Sequence, residues 1–304
     1  MLGGAGFLGS HICDAYLQRG DEVIAIDNFS TGSTKNLQHL VNNKHFLSIT
    51  ADICEPIVID GIVDLVLNFA SPASPKKYLS MPLETLRVGS LGTENAVDLA
   101  KKDNARLVMA STSEVYGDPM VSPQSETYFG NVNPLGVRSC YDESKRFSEA
   151  LLMAHQRESN LNVGIVRIFN TYGPRLDPDD GRVVSTMISQ ALNDQELTVH
   201  GDGSQTRSFC YVDDLVRGVI AMGDSNEVGP INMGNNQEIS VLELAEMVLK
   251  LANSKSKIVY TSSMDDDPQQ RCPDLTLAMR RLGWSPEVSL NDGLARTIEW
   301  FRSR

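Results

Sequence analysis

The sequence predicts an α/β protein built on a doubly wound parallel sheet, with a smaller C-terminal lobe for the substrate. Three observations lead there. Short β-branched runs alternate with longer helical patterns through the first half of the chain. Those runs are apolar nearly throughout, as expected of parallel strands covered on both faces. A glycine turn, Gly3-x-x-Gly6-x-x-Gly9, opens the first helix and leaves backbone N–H groups free to face a pyrophosphate. Repeated βα units of this kind make a Rossmann-like sheet.

Taken in order, the glycine turn leads into a helix over 7–19, and a strand follows at 21–28. Further strands are expected at 45–50, 63–71, 106–113 and 162–170, with helices over 83–102 and 142–158 between them. From about residue 171 the pattern loosens into loops rich in Gly, Pro and Asp, with helices near 182–194, 240–253 and 291–303. We therefore expect a cofactor domain over 1–170 and a substrate lobe over 171–304, with some chain crossing back to the first. Only Met1 and Leu2 precede Gly3, where this fold has a buried first strand. Its absence would leave backbone groups unpaired at the sheet centre, so we expect about six to ten more native residues upstream.

Composition narrows the function classes. The 304 residues carry a formal charge of −12, which argues against nucleic acid or an anionic membrane as the main partner. No apolar run is long enough to span a bilayer, and nothing reads as a secretory signal. The five cysteines are scattered without a CxxC, so reduced thiols in a cytoplasmic setting are the expectation. Metal binding is not expected: the histidines lack ligand spacing. The run from Asp177 has the start of a calcium loop but puts Ile188 where the bidentate Glu belongs. The acidic run 265–267 reads as a solvated turn.

The glycine spacing alone is a weak signal, but its context strengthens it. The strand after the first helix ends in Asp27, 18 residues beyond Gly9. A carboxylate there accepts hydrogen bonds from an adenosine ribose and repels a 2′-phosphate, favouring NAD over NADP. Asp52 and Ile53 follow the next strand and can flank an adenine, although such a pair is commonly just a strand end.

Tyr141 and Lys145 are four residues apart on a helix and so share a face. A phenol titrates near pH 10, and a base useful at neutral pH needs about three units less, or about 4 kcal/mol. A nearby ammonium together with a positive nicotinamide ring can supply that. Thr112 and Glu114 end the Ser/Thr-rich strand upstream, where parallel sheets bind ligands.

The runs GGAGFLG, STSEVYGDP and YDESK, with Asp27, resemble the extended short-chain dehydrogenase/reductases that act on nucleotide sugars. Further runs narrow the resemblance to the UDP-glucuronate decarboxylases (UDP-xylose synthases). These are NFASPASP (68–75), CYDESKR (140–146), RIFNTYGPR (167–175), DDGRVVS (179–185), LTVHGDGSQTRSF (197–209) and DDPQQRCPD (266–274). The likeness covers essentially the whole chain.

The resemblance implies a reaction. Tyr141 removes the C4 hydroxyl proton of UDP-glucuronate while NAD takes hydride. The resulting β-keto acid loses CO2, and hydride returns to give UDP-xylose. It also implies roles: Thr112 near the C4 oxygen, Glu114 in decarboxylation, Lys145 on the nicotinamide ribose and Arg271 in the substrate site. Asn170, His200, Gln205 and Arg207 fall around the UDP, Arg87 near the sugar acid, and Asn95 and Arg182 join the substrate set. Phe7, Leu8, Asn28, Thr31, Gly32, Phe69 and Ser71 join the glycines in holding NAD. A homodimer packed through helices around 84–102 and 142–158 is implied as well. A cytoplasmic location is expected, with the Golgi lumen as the alternative if an N-terminal extension carries an anchor.

Several positions depart from the family pattern. Leu2 replaces a Thr, His200 stands where Tyr is more frequent, and Val88-Gly89-Ser90 replaces Thr-Asn-Thr. A glycine inside a helix costs up to about 1 kcal/mol, so a weakened, catalytically silent paralogue is one alternative. Another nucleotide-sugar epimerase or a 4,6-dehydratase is the other. Ser113, between Thr112 and Glu114, argues against the dehydratase, whose pattern has an acid there.

Overall fold

Parallel strands form two hydrogen-bonded sets: Phe46–Thr50 beside Val23–Asp27, and, in order, Leu65–Asn68, Arg106–Thr112, Val163–Ile168 and Ile231–Met233. The computed structural model describes residues 1–262 and 270–304. The acidic run 265–267 and the first part of the 266–274 motif lie outside the described residues. The five strands expected in the first half all form. Successive strands are laid down in opposite directions on either side of the gap between Val23–Asp27 and Leu65–Asn68, and Leu2 joins the two sets by parallel bridges to Ile26 and Asn68. Leu2 N–H donates to Leu67 O at 2.9 Å, and Ile26 N–H donates to Met1 O at 2.8 Å. The two residues before the glycine turn thus join the two strand sets through a few backbone contacts.

Apart from the edge strand Phe46–Thr50, both faces of the sheet are largely buried, which is why the strands read as continuous apolar runs. Along Arg106–Thr112, Leu107 and Met109 enter one core with Ala96, Val97 and Leu152, while Val108 enters the other with Ile12, Val166 and Val219. Helices Thr93–Asp103 and Ser139–Ser159 cover the first face; Phe7–Arg19 and Val212–Gly223 pack together on the second. Helix Val212–Gly223 and strand Ile231–Met233 had no expectation in the sequence, because short apolar runs do not declare their partner. The second core continues without a break into the helices Val183–Leu192, Val241–Ala252 and Leu290–Arg302.

The single helix expected over 83–102 is not what forms. Helix Pro82–Arg87 is followed by a π-helical turn, Val88–Gly92, before Thr93–Asp103 resumes. Close packing explains the glycines there. A Cβ on Gly89 would lie 2.6 Å from Ser144 Cβ, and one on Gly92 would lie 2.6 Å from Ile53 Cδ1. Ser148 Oγ donates to Gly89 O at 2.6 Å, tying the turn to helix Ser139–Ser159. Gly89 therefore permits a close helix–helix approach rather than merely weakening a helix.

Candidate active site

A cavity of about 1130 Å³ opens where the order of the strands changes direction, walled by the strand ends on one side and by residues from Asn170 to Arg207 on the other. Such a switch point is where open α/β sheets bind ligands.

The glycine turn forms one end. Gly3 has φ +77°, and a Cβ there would meet the Ala70 backbone at 2.8 Å; a Cβ on Gly9 would run into the Gly3 carbonyl. Gly6 caps helix Phe7–Arg19, whose first turn carries no acidic residue, so its N–H groups and positive dipole end are offered to the cavity. Phe7, Leu8, Thr31, Gly32, Phe69 and Ser71 line the same end. Asp27 does not reach the lining. Its carboxylate accepts from Ala5 N–H at 2.9 Å and Phe29 N–H at 2.8 Å, and Gly32 packs against it. Burial raises its pKa, and the two amides work against that rise. Asn28 donates to Asp52 at 3.0 Å, and Asn95 donates to Ile53 O at 2.8 Å. Those four residues, with exposed Arg87, are not among the groups that line the cavity.

The sheet end forms the reactive wall. Tyr141 and Lys145 lie one turn apart on helix Ser139–Ser159, both buried and both facing the cavity. Tyr141 is stacked on Tyr78 with ring centroids 4.9 Å apart and planes inclined by 6°, and its hydroxyl is hydrogen-bonded to Thr112. Burial pushes the phenol up to about 12, with the Thr112 contact and nearby Arg182 acting in the opposite sense. Without a nicotinamide ring beside it, the phenol thus sits above its ordinary value. The Lys145 ammonium lies 6.0 Å from the Tyr141 ring centroid and donates instead to Ala110 O at 2.9 Å. Burial pulls Lys145 itself down to about 8, and Glu149 partly restores it. Glu149 is in turn held by Ser111 Oγ at 2.5 Å and Arg167 Nη2 at 2.7 Å.

Glu114 is the most heavily engaged carboxylate of the wall. It pairs with Arg271 and, at 2.5 Å, with Arg138 Nη2. Burial raises its pKa, but the two guanidiniums outweigh burial and leave it below the usual range. Arg271 also donates to Gly117 O at 2.9 Å. Arg138 and Tyr78 were missed in the sequence. Arg138 had a signal, since it precedes Tyr141 by three residues and shares its helix face.

Residues later in the chain supply the opposite wall. Asn170, Arg182, His200, Gln205 and Arg207 all line the cavity. Arg182 caps helix Val183–Leu192 and donates to Ala73 O at 3.1 Å, joining the two sides. Arg207 is buried on strand Thr206–Ser208, beside Arg271 on strand Gln270–Arg271.

A sequence model described as the NAD dependent epimerase/dehydratase family matches residues 1–234. The chain belongs to that family. Within the NAD dependent epimerase/dehydratase family it is 50% identical over 304 residues to UDP-glucuronic acid decarboxylase 1 of Arabidopsis thaliana, covering 100% of this chain and 69% of that protein. It is 48% identical over 302 residues to UDP-glucuronic acid decarboxylase 1 of Xenopus tropicalis, covering 99% and 71%. Among solved structures, UDP-glucose 4-epimerase from Thermotoga maritima superposes with a TM-score of 0.90 at 28% identity, covering 99% of this chain and 97% of that one. UDP-glucuronic acid 4-epimerase from Bacillus cereus, in complex with NAD, does so with a TM-score of 0.86 at 30% identity, covering 99% and 97%.

Proposed function

We infer that this chain is an NAD-dependent UDP-glucuronate decarboxylase that releases CO2 and forms UDP-xylose. The observation that carries the reading is the juxtaposition of Tyr141 with a Glu114–Arg271 pair in one cavity, in a chain half identical to named decarboxylases along its whole length.

The glycine end fits a dinucleotide: side chains at Gly3 and Gly9 would close the cradle, and the helix N-terminus beside them suits a pyrophosphate. Gly3, Gly6, Gly9, Thr31 and Ser71 would hold NAD there, with Lys145 toward the nicotinamide ribose. When bound, NAD supplies the hydride acceptor and returns the hydride, and its positive ring favours ionisation of the adjacent phenol.

The chain's own groups do the rest. Tyr141 Oη takes the proton of the C4 hydroxyl, with Thr112 orienting it. The C4 ketone then lies β to the carboxylate, so the electrons left by departing CO2 pass into the ketone as an enolate. Reprotonation at C5, return of hydride to C4 and return of the Tyr141 proton to the C4 oxygen complete the pentose. Arg271 attracts the carboxylate, Glu114 assists the proton movements, and Arg182 and Arg207 suit the diphosphate.

The full chain, given NAD and UDP-glucuronate, should release CO2 and form UDP-xylose, read by NMR of the sugar ring. UDP-galacturonate without CO2 would instead establish a 4-epimerase, the second reading favoured by the Bacillus cereus likeness. Tyr141→Phe should abolish turnover while leaving NAD binding intact.

Residues 1–170 serve as the cofactor part and 171–304 as the sugar-nucleotide part in this reading. A homodimer fits the exposed Leu83, Leu86, Leu91 and Phe147 on the helices around 84–102 and 142–158. Among the described residues no helix is long and apolar enough to cross a membrane.

A further inference from the structure

We propose that Asp142 takes up a proton from solvent as the sugar-acid substrate binds, leaving the two guanidiniums of the wall to Glu114 and the substrate carboxylate. The inference rests on the UDP-glucuronate reading.

Asp142 follows Tyr141 in the first turn of helix Ser139–Ser159, and its N–H donates to Arg138 O at 3.3 Å. Residues 138 and 142 therefore share a helix face. Asp142 is 7% exposed, and its buried Oδ1 has no hydrogen-bond partner. The guanidiniums that could have served it are spent on Glu114, which pairs with both Arg138 and Arg271.

The charged groups acting on Asp142 come from three elements. Glu114 stands on the turn Ser113–Tyr116, Arg271 on strand Gln270–Arg271, and Arg138 and Glu143 at the start of its own helix. Tyr78 and Tyr141, also close by, are neutral. Burial first, then Glu114, pushes Asp142 up to about 7, against the pull of the two arginines. Two cations thus face one full carboxylate and one that is only partly ionised.

A third carboxylate entering this poorly solvated wall competes with Glu114 and Asp142 for the Arg138 and Arg271 guanidiniums. Ionised carboxylates in low dielectric repel strongly, and the group already nearest neutrality yields first. Glu114, held low by two arginines, stays ionised; Asp142 accepts the proton.

The test titrates the Tyr141→Phe protein, loaded with NAD so that binding occurs without turnover, with UDP-glucuronate in a calorimeter. Repeating it at pH 7 in buffers of different ionisation enthalpy gives the protons taken up. We expect about half a proton for a group half ionised beforehand. UDP-xylose, which lacks the carboxylate, should take up far less. Adding Asp142→Asn should remove the uptake while binding persists. Heats that do not depend on buffer, or undiminished uptake in the Asn variant, overturn the proposal. Should the Asn variant fail to fold, the pH series on Tyr141→Phe decides. Uptake must shrink at pH 5, where Asp142 is already protonated, and a flat profile overturns it. Failure of the UDP-glucuronate reading shows separately, as no CO2 release by the unaltered protein.

Discussion

Arg138 Nη2 lies 2.5 Å from Glu114 Oε2, so the carboxylate that faces Arg271 has a second, permanent counterion. Arg271 can then turn to a substrate carboxylate without stranding Glu114. Arg138→Met should lower kcat/KM by about 10- to 100-fold, the equivalent of about 1.4 to 3 kcal/mol lost when one partner of a buried pair is removed. Removing a cation raises the Glu114 pKa, so the acid limb of the pH–rate profile should move to higher pH. Arg138→Lys should restore part of the rate. An unmoved limb would mean that the pair only braces the fold.

Gly89 touches the reactive helix one residue from Lys145. Gly89→Ala would drive a methyl to 2.6 Å from Ser144 Cβ and 2.8 Å from Ser144 O. Overpacking of that kind costs about 1 to 3 kcal/mol. A lowered Tm and a reduced kcat are expected together, since the helix cannot withdraw without carrying Tyr141 and Lys145 along. An Ala variant as stable and active as the parent would show that the π-helical turn yields instead.

Lys145 is charged below about pH 8 and neutral above it. Its donation to a carbonyl and its positive charge fade together as pH rises, so kcat/KM should fall on the alkaline side from near that pH. Glu149 raises the Lys145 pKa. Glu149→Gln should therefore shift the alkaline limb to lower pH, a change that a purely structural loss at Arg167 would not produce.

Asp142 also ties stability to pH. Its carboxyl titrates near 7 in the fold against an ordinary 3.8. Between those values the folded state binds more protons than the unfolded one, so stability is fully present below the lower value and is lost as pH rises through the higher. Asp142→Asn removes that loss. The variant should melt at a higher temperature than the parent at pH 8 and gain little at pH 4, in ligand-free thermal unfolding. Equal gains at both pH values would refute the assignment.

Local pattern carried much of the outcome. The five strands, the glycine turn and the helices around 7–19 and 142–158 were legible because their periodicity and turn residues are local properties, set by burial on one or both faces. The Tyr141–Lys145 pairing was legible for the same reason: two residues one helical turn apart must share a face. The break in the helix after Arg87 was not, since nothing in the order of residues says that Ser144 will press on Gly89. Nor was strand Ile231–Met233, whose three residues make sense only beside Val163–Ile168.

By itself the sequence determined a parallel α/β sheet, a dinucleotide turn and a Tyr–Lys helix, because each follows from spacing along one segment. Only the tertiary structure decided the charges. It brought Arg138 and Arg271, 133 positions apart, onto one carboxylate, left Asp142 Oδ1 without a hydrogen-bond partner, and put Lys145 on a carbonyl rather than against the phenol. Ionisation depends on distance and solvent exclusion in three dimensions, and neither is a property of the order of residues along the chain.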